Sequence, residues 1–172
     1  TSYTGTTTPT LDILLDNSLV TNTTYQMRLA VSSTGDNSET LSKEISSLQT
    51  ALWQHLAITW TASTSVATFY FNGVSLGTVT GTLTAIHNNT SEFFIATNKN
   101  DAGSAANFYD GLMDDVRVWN TVRTANEIFT NMPDHVLTTA AGLQAYYKLE
   151  NGVTDSTANA NNLTASGSPT YS

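Results

Sequence analysis

The sequence predicts an all-β fold: an antiparallel β-sandwich with one short helix. Three observations carry that expectation. Apolar residues recur at every second position in several short runs, each closed by Gly, Asn, Asp or Ser. Asn72-Gly73 joins two of these runs, and a type I′ hairpin turn asks for that pair because both of its central residues need positive φ. Only one stretch, after Thr124, carries the start signals of a helix. A length of 172 residues suffices for one domain with a real core, and residues 1–172 are read as a single domain.

Taken in order, Thr1 to Thr10 is Thr-rich and reads as an irregular segment or edge strand. Leu11 to Leu15 is an apolar run around Asp12, and Asp16-Asn17-Ser18 turns the chain. Tyr25, Met27, Leu29 and Val31 alternate with polar or small residues, the pattern of a half-buried strand. Ser33 to Asn37 is the next turn, followed by a strand around Leu41 to Ile45. Leu56, Ile58 and Trp60 share one face of a strand, and Val66–Phe71 and Val74–Val79 form the Asn-Gly hairpin. Phe93 to Thr97 reads as a strand and Asn98 to Asn107 as a long polar loop. Thr124 and Glu127 have capping-box spacing, so the helix should run from Ala125 to Met132 and stop at Pro133. Gly142 to Gly152 contains another strand, and a polar loop from Asp155 leads to a last one.

The segment from Phe108 to Asn120 concentrates the chemistry. Read as a strand, it puts Leu112, Asp114, Val116 and Val118 on one face and Met113, Asp115, Arg117 and Trp119 on the other. A carboxylate among branched apolar residues must find a cation or several donors, because an unpaired buried charge is very costly. Asp114 is therefore the first pointer to a metal.

Composition excludes several classes. Six basic residues against fourteen acidic ones give a net charge of −8, which argues against a phosphate-binding surface and hence against nucleic acid as a partner. The absence of Cys excludes disulfides, thiolate metal sites and cysteine nucleophiles. No apolar run reaches the length of a membrane span. A surface rich in Thr, Ser and Asn suits a secreted or cell-surface protein, and the opening Thr leads us to expect a processed chain or a fragment.

Several motifs resemble bacterial laminin-G-like modules of the concanavalin A-like jelly-roll superfamily. The block Trp53-Gln54-His55-Leu56 with Phe69-Tyr70-Phe71-Asn72-Gly73 resembles the family's Trp-x-His strand and aromatic-x-Asn-Gly hairpin. Gly111-Leu112-Met113-Asp114-Asp115-Val116-Arg117-Val118-Trp119 with Ala125-Asn126-Glu127-Ile128 resembles its closing signature. Gly142-Leu143 with Tyr146-Tyr147, followed by Asp155-Ser156 and Asn159-x-Asn161, resembles its last strand and loop. The resemblance covers roughly residues 53 to 167. The family's opening Asp-Gly-x-x-Asp-Tyr-like motif is not apparent before Tyr25, so the first strands are expected to be divergent, missing or shared with another copy. The tail from Leu143 then either closes the chain's own sheet, the favoured arrangement, or adds to a neighbouring module.

The resemblance implies a structural Ca²⁺. That ion takes about six to eight oxygen ligands, and Asp114 with Asp155, Asn159 and Asn161 supplies side-chain oxygens of the right kind. The alternative stands beside it: Asp155, Asn159 and Asn161 make Asx turns and cap loop amides. Catalysis is disfavoured. A glycoside hydrolase needs two carboxylates roughly 5–9 Å apart; the adjacent Asp114 and Asp115 point to opposite faces, and the five Glu residues are scattered. The catalytic jelly-roll motif Glu-x-Asp-x-x-Glu does not occur. His55, His87 and His135 have no metal spacing. Trp53, Trp60 and Trp119 read as core residues more readily than as sugar platforms. Ligand contact is assigned to Asn98, Asn100, Asp101, Asn107 and Tyr109, because function on such scaffolds sits in loops.

The expected function is a non-catalytic binding module of a secreted or surface protein. It would recognise glycan or glycoprotein through edge loops held by calcium. The rival is a structural spacer or self-assembly module whose partners are copies of itself or neighbouring domains. A weaker third class is an accessory domain of a glycoside hydrolase. Fold resemblance alone does not choose among them.

Overall fold

A computed structural model describes residues 11–16, 25–34, 38–46, 48–49, 51–88, 93–99, 105–106 and 108–171. The opening Thr1–Thr10 and the turn after Asp16 lie outside the described residues. The chain divides into two compact units, residues 1–91 with 124–132, and residues 92–123 with 133–172.

The first unit is a sandwich of two three-stranded antiparallel sheets. β1 (Leu11–Asp16), β2 (Tyr25–Val31) and β3 (Glu39–Ile45) follow one another in one sheet, with Leu29 opposite Ile13 and Leu41. β4 (Leu56–Thr61), β5 (Val66–Phe71) and β6 (Val74–Thr80) form the other. Alternation does the work expected of it. Met27, Leu29, Val31, Leu41 and Ile45 from the first sheet and Ala67, Phe69 and Phe71 from the second make one buried cluster. Ile58, Trp60, Leu76 and Val79 pack around it. Burying a side chain of this size stabilises the fold by about 1.5–3 kcal/mol relative to leaving it exposed. β1, β2 and β3 thus pair as one antiparallel sheet.

Asn72 and Gly73 have φ of 48° and 75°, the left-handed pair that a type I′ turn requires. The Asn72 side chain closes the β4–β5 ladder: His55 N–H donates to its Oδ1 at 2.8 Å, and Asn72 N–H donates to His55 O at 2.8 Å. Glu39, one of the Glu residues read as scattered, accepts from the amides of Thr82 (2.7 Å) and Leu83 (3.1 Å), fixing the segment that leaves β6. The Thr82 amide holds its carboxyl below the usual range against the opposing effect of burial.

α1 (Ala125–Asn131) belongs to this unit and contacts β6. Its capping box is formed: Glu127 N–H donates to Thr124 Oγ1 at 3.3 Å, and Thr124 N–H donates to Glu127 Oε2 at 2.8 Å. Ile128 supplies the buried face, and Phe129 lies against Gly73, where a Cβ would come within 2.8 Å of its ring.

The second unit holds two small antiparallel pairs. β7 (Asn98–Lys99) pairs with β8 (Ala105–Ala106), and β9 (Val116–Trp119) pairs with β10 (Leu143–Tyr147). The tail therefore closes a sheet within its own chain over Leu143–Tyr147.

Three expectations are corrected. Phe93 to Thr97 is not a strand, because Ala96 turns the backbone at φ 61°. Leu112 to Asp115 is not a strand either. Asp115 adopts φ 53°, which breaks the alternation and leaves Leu112 79% exposed. Among the described residues no strand follows Asp155: residues 162–170 offer no alternating apolar face, and Gly167 and Ser168 both have positive φ. No helix among the described residues is long and apolar enough to cross a membrane.

Candidate functional site

The second unit gathers most of the chemistry that the sequence singled out. Its β7–β8 hairpin carries Asn98 opposite Ala106 and Lys99 opposite Ala105. Tyr109 N–H donates to Ala96 O at 2.7 Å, tying the segment after the hairpin to the one before it. Tyr109 and Phe108 are 53% and 51% exposed. Each ring rests on a glycine. A Cβ on Gly111 would meet the Tyr109 hydroxyl at 2.6 Å and its ring at 2.7 Å, and one on Gly167 would meet the Phe108 ring at 2.7 Å. Phe93 is also half exposed and stacks on Tyr147, with centroids 6.5 Å apart. Apolar rings pinned from below and open above are an arrangement that can take the flat face of a ligand. Of the residues assigned to ligand contact, Asn100, Asp101 and Asn107 lie outside the described residues, and Asn98 is described by its backbone alone.

The proposed metal residues are arranged as follows. Asp155 is buried, and both of its oxygens are engaged. Oδ1 accepts from Tyr146 N–H (3.0 Å) and Thr157 N–H (2.9 Å); Oδ2 accepts from the Thr157 hydroxyl (2.9 Å) and Asn161 N–H (2.9 Å). Burial alone would raise this carboxyl, and the amides of Thr157, Tyr146 and Asn161 outweigh it and hold the pKa below the ordinary range. Asn159 and Asn161 each donate an amide N–H to Gln144 O at 2.9 Å. The loop thus clasps β10 by its own donors, the Asx-type role foreseen as the alternative to metal binding. An ionised carboxylate has about four acceptor positions, and donors occupy all four here, so a cation at Asp155 would have to displace them. Asp114 is exposed; its Oδ1 accepts Asp115 N–H at 2.8 Å. The donor set does not fit Ca²⁺ as arranged. Among the described residues no group of three or more His, Asp or Glu side chains could hold a metal ion.

Asp115, not Asp114, is the networked carboxylate. It takes hydrogen bonds from the Tyr146 hydroxyl and from Arg117 Nη2 (3.0 Å), and its Oδ1 lies 3.1 Å from His135 Nδ1. Burial pushes its carboxyl up, but Tyr146, His135 and the Arg117 charge bring it below the usual value. Burial and the Asp115 charge together raise the Tyr146 phenol well above its ordinary range. Arg117 also reaches Asp134 O and lies under the Tyr146 ring, 5.3 Å from its centroid. This carboxylate is committed to structure, which leaves it poorly placed for acid–base chemistry. The residues lie 20 and 31 positions from Asp115, beyond any local motif; the only sequence signal was the Asp-x-Arg spacing.

Of the tryptophans, Trp60 packs on the core and Trp119 lies under Arg123, whose guanidinium is 4.3 Å from its ring centroid. Trp53, read as a core residue, is instead 67% exposed, because it precedes β4 and escapes that strand's pairing.

A family model described as the concanavalin A-like lectin/glucanases superfamily matches residues 5–129. The chain belongs to this superfamily. The match reaches back to residue 5, so the opening strands, whose family motif could not be read, fall within it. No curated protein matches this superfamily member. Among solved structures it is similar to a putative carbohydrate binding protein from Bacteroides ovatus, at 27% identity and a TM-score of 0.57, over 76% of this chain and 37% of that one. It thus spans about a third of that protein's length. An S-layer domain-containing protein from Clostridium thermocellum also matches, at 22% identity and a TM-score of 0.37, over 70% of this chain and 62% of that one.

Proposed function

We propose that this laminin-G-like domain is a non-catalytic glycan-binding module of an extracellular or cell-surface protein. Phe108 and Tyr109, half exposed and each seated on a glycine, are the observation that carries the reading. Sugar rings present apolar C–H faces that suit such aromatics, and amide side chains such as those the neighbouring sequence carries at Asn98, Asn100 and Asn107 are of a kind that suits hydroxyls. Superfamily membership and the carbohydrate binding assigned to the Bacteroides ovatus protein support the same reading. The net charge of −8 disfavours acidic sugars, so the ligand is a neutral glycan. In this reading the loop at Asp155 is held by its own donors rather than by calcium.

A glycan array probed with the wild-type chain, with and without calcium, tests the proposal. Tyr109→Ala and Phe108→Ala should each weaken the strongest neutral hit by about tenfold or more, equivalent to about 1.4 kcal/mol. Binding that survives both substitutions unchanged would place the site elsewhere. An array with no hits would overturn the reading.

A further inference from the structure

The tripeptide Asn-Gly-Val occurs twice, at Asn72-Gly73-Val74 and at Asn151-Gly152-Val153. Asn-Gly is the dipeptide most open to succinimide formation, because glycine lacks the side chain that would hinder the attacking amide. The two copies share their local sequence on the C-terminal side, so differences between them must come from the fold. Asn72 is held on both sides by His55, through its own N–H and through its Oδ1, and Gly73 is buried beneath Phe129. Bringing the Asn72 Cγ onto the Gly73 nitrogen would break the bond from His55 N–H. The second copy has no such restraint. Asn151 is exposed, its side chain makes no hydrogen bond among the described residues, and a Cβ on Gly152 would find no atom within 4 Å.

We propose that Asn151 is a site of spontaneous covalent modification, deamidating through a succinimide, while Asn72 is protected. Hydroxide takes the proton of the Gly152 amide, whose nitrogen attacks Asn151 Cγ. The new N–C bond forms as the Cγ–Nδ2 bond breaks, and ammonia leaves after taking a proton from water. Water then adds to either carbonyl of the ring and opens one C–N bond, giving aspartate or isoaspartate. No redox partner is needed. The product makes the chain one unit more negative than −8. It also places a carboxylate beside Glu150 and Lys148, in the wall of a depression of about 170 Å³ that Thr154 and Ser156 also line.

The test is incubation of the folded chain in mildly alkaline buffer at physiological temperature, followed by proteolysis and peptide mass mapping with isoaspartate-specific detection. Asn151 should convert on the order of tenfold faster than Asn72, the ratio that follows if its hydrogen bonds add one tenfold step to the Asn72 barrier. The same chain in guanidinium should convert both at similar rates, and Asn151→Gln should abolish the faster conversion in the folded protein. Equal rates in the folded chain would overturn the proposal. So would faster conversion at Asn72, a rate ratio that persists in guanidinium, or no conversion at Asn151 over the time in which the denatured chain reacts.

Discussion

Replacing Asp155 by Asn keeps the size of the side chain and removes its charge and half of its accepting capacity. The amide oxygen can still receive Tyr146 N–H and Thr157 N–H, but the new NH₂ faces the Thr157 hydroxyl and Asn161 N–H. The hydroxyl can rotate to accept. The backbone N–H of Asn161 cannot, so one charge-assisted bond becomes a donor against a donor. A hydrogen bond to a charged group contributes about 1.5–3 kcal/mol, and an opposed, partly buried donor adds to the loss, so Asp155→Asn should cost about 2–4 kcal/mol. At about 2–4 °C per kcal/mol for a chain of this length, the melting temperature should fall by roughly 4–16 °C in calorimetry. The pH dependence has a defined sign. The folded state holds the Asp155 carboxyl below its unfolded value, so its stabilisation is complete above the unfolded pKa of about 3.9 and is lost as pH falls through the folded value. The gap between wild type and Asp155→Asn should therefore narrow on acidification below about pH 4. A variant within about 0.5 kcal/mol of wild type at neutral pH would refute the account, because that is the range of featureless surface changes.

Other consequences can be measured alongside. Tyr146→Phe removes the hydroxyl that reaches Asp115 and His135 and should cost about 1.5–3 kcal/mol in urea unfolding, with the Asp115 carboxyl titrating at higher pH by NMR. Thr124→Ala removes the hydroxyl that accepts Glu127 N–H, leaves the Thr124 backbone N–H to Glu127 in place, and should lower stability by about 0.5–2 kcal/mol, whereas Thr124→Ser should recover most of it. Melting curves in calcium and in chelator should coincide; a rise in calcium that Asp155→Asn abolishes would show that an ion can displace the loop donors. Gly73→Ala should destabilise the hairpin in thermal melts by more than 1 kcal/mol, on the order of the strain of a positive φ plus the clash with Phe129.

What could be read from the sequence was what local chemistry determines. The strands of the first unit follow from period-two alternation, the hairpin from Asn72-Gly73, and the helix start from Thr124 and Glu127. Two of the failures fall where a non-glycine residue takes a left-handed conformation. Ala96 and Asp115 do so without any compositional sign, and each falls within a stretch read as a strand. The loop at Asp155 was conspicuous because its Asx residues are close together, yet sequence spacing could not tell a metal ligand from an acceptor of backbone amides. That distinction depends on where four donors point. The Asp115, His135 and Tyr146 network was invisible because only the fold joins its members.

The path of the chain limits how this protein could have been assembled by recombination. The helix that caps the first sandwich is encoded between β9 and β10, the paired strands of the second unit. A gene segment ending before residue 124 would deliver the first unit without α1, and one beginning at residue 92 would carry that helix away from β6. Neither unit can be duplicated, deleted or exchanged as one uninterrupted block.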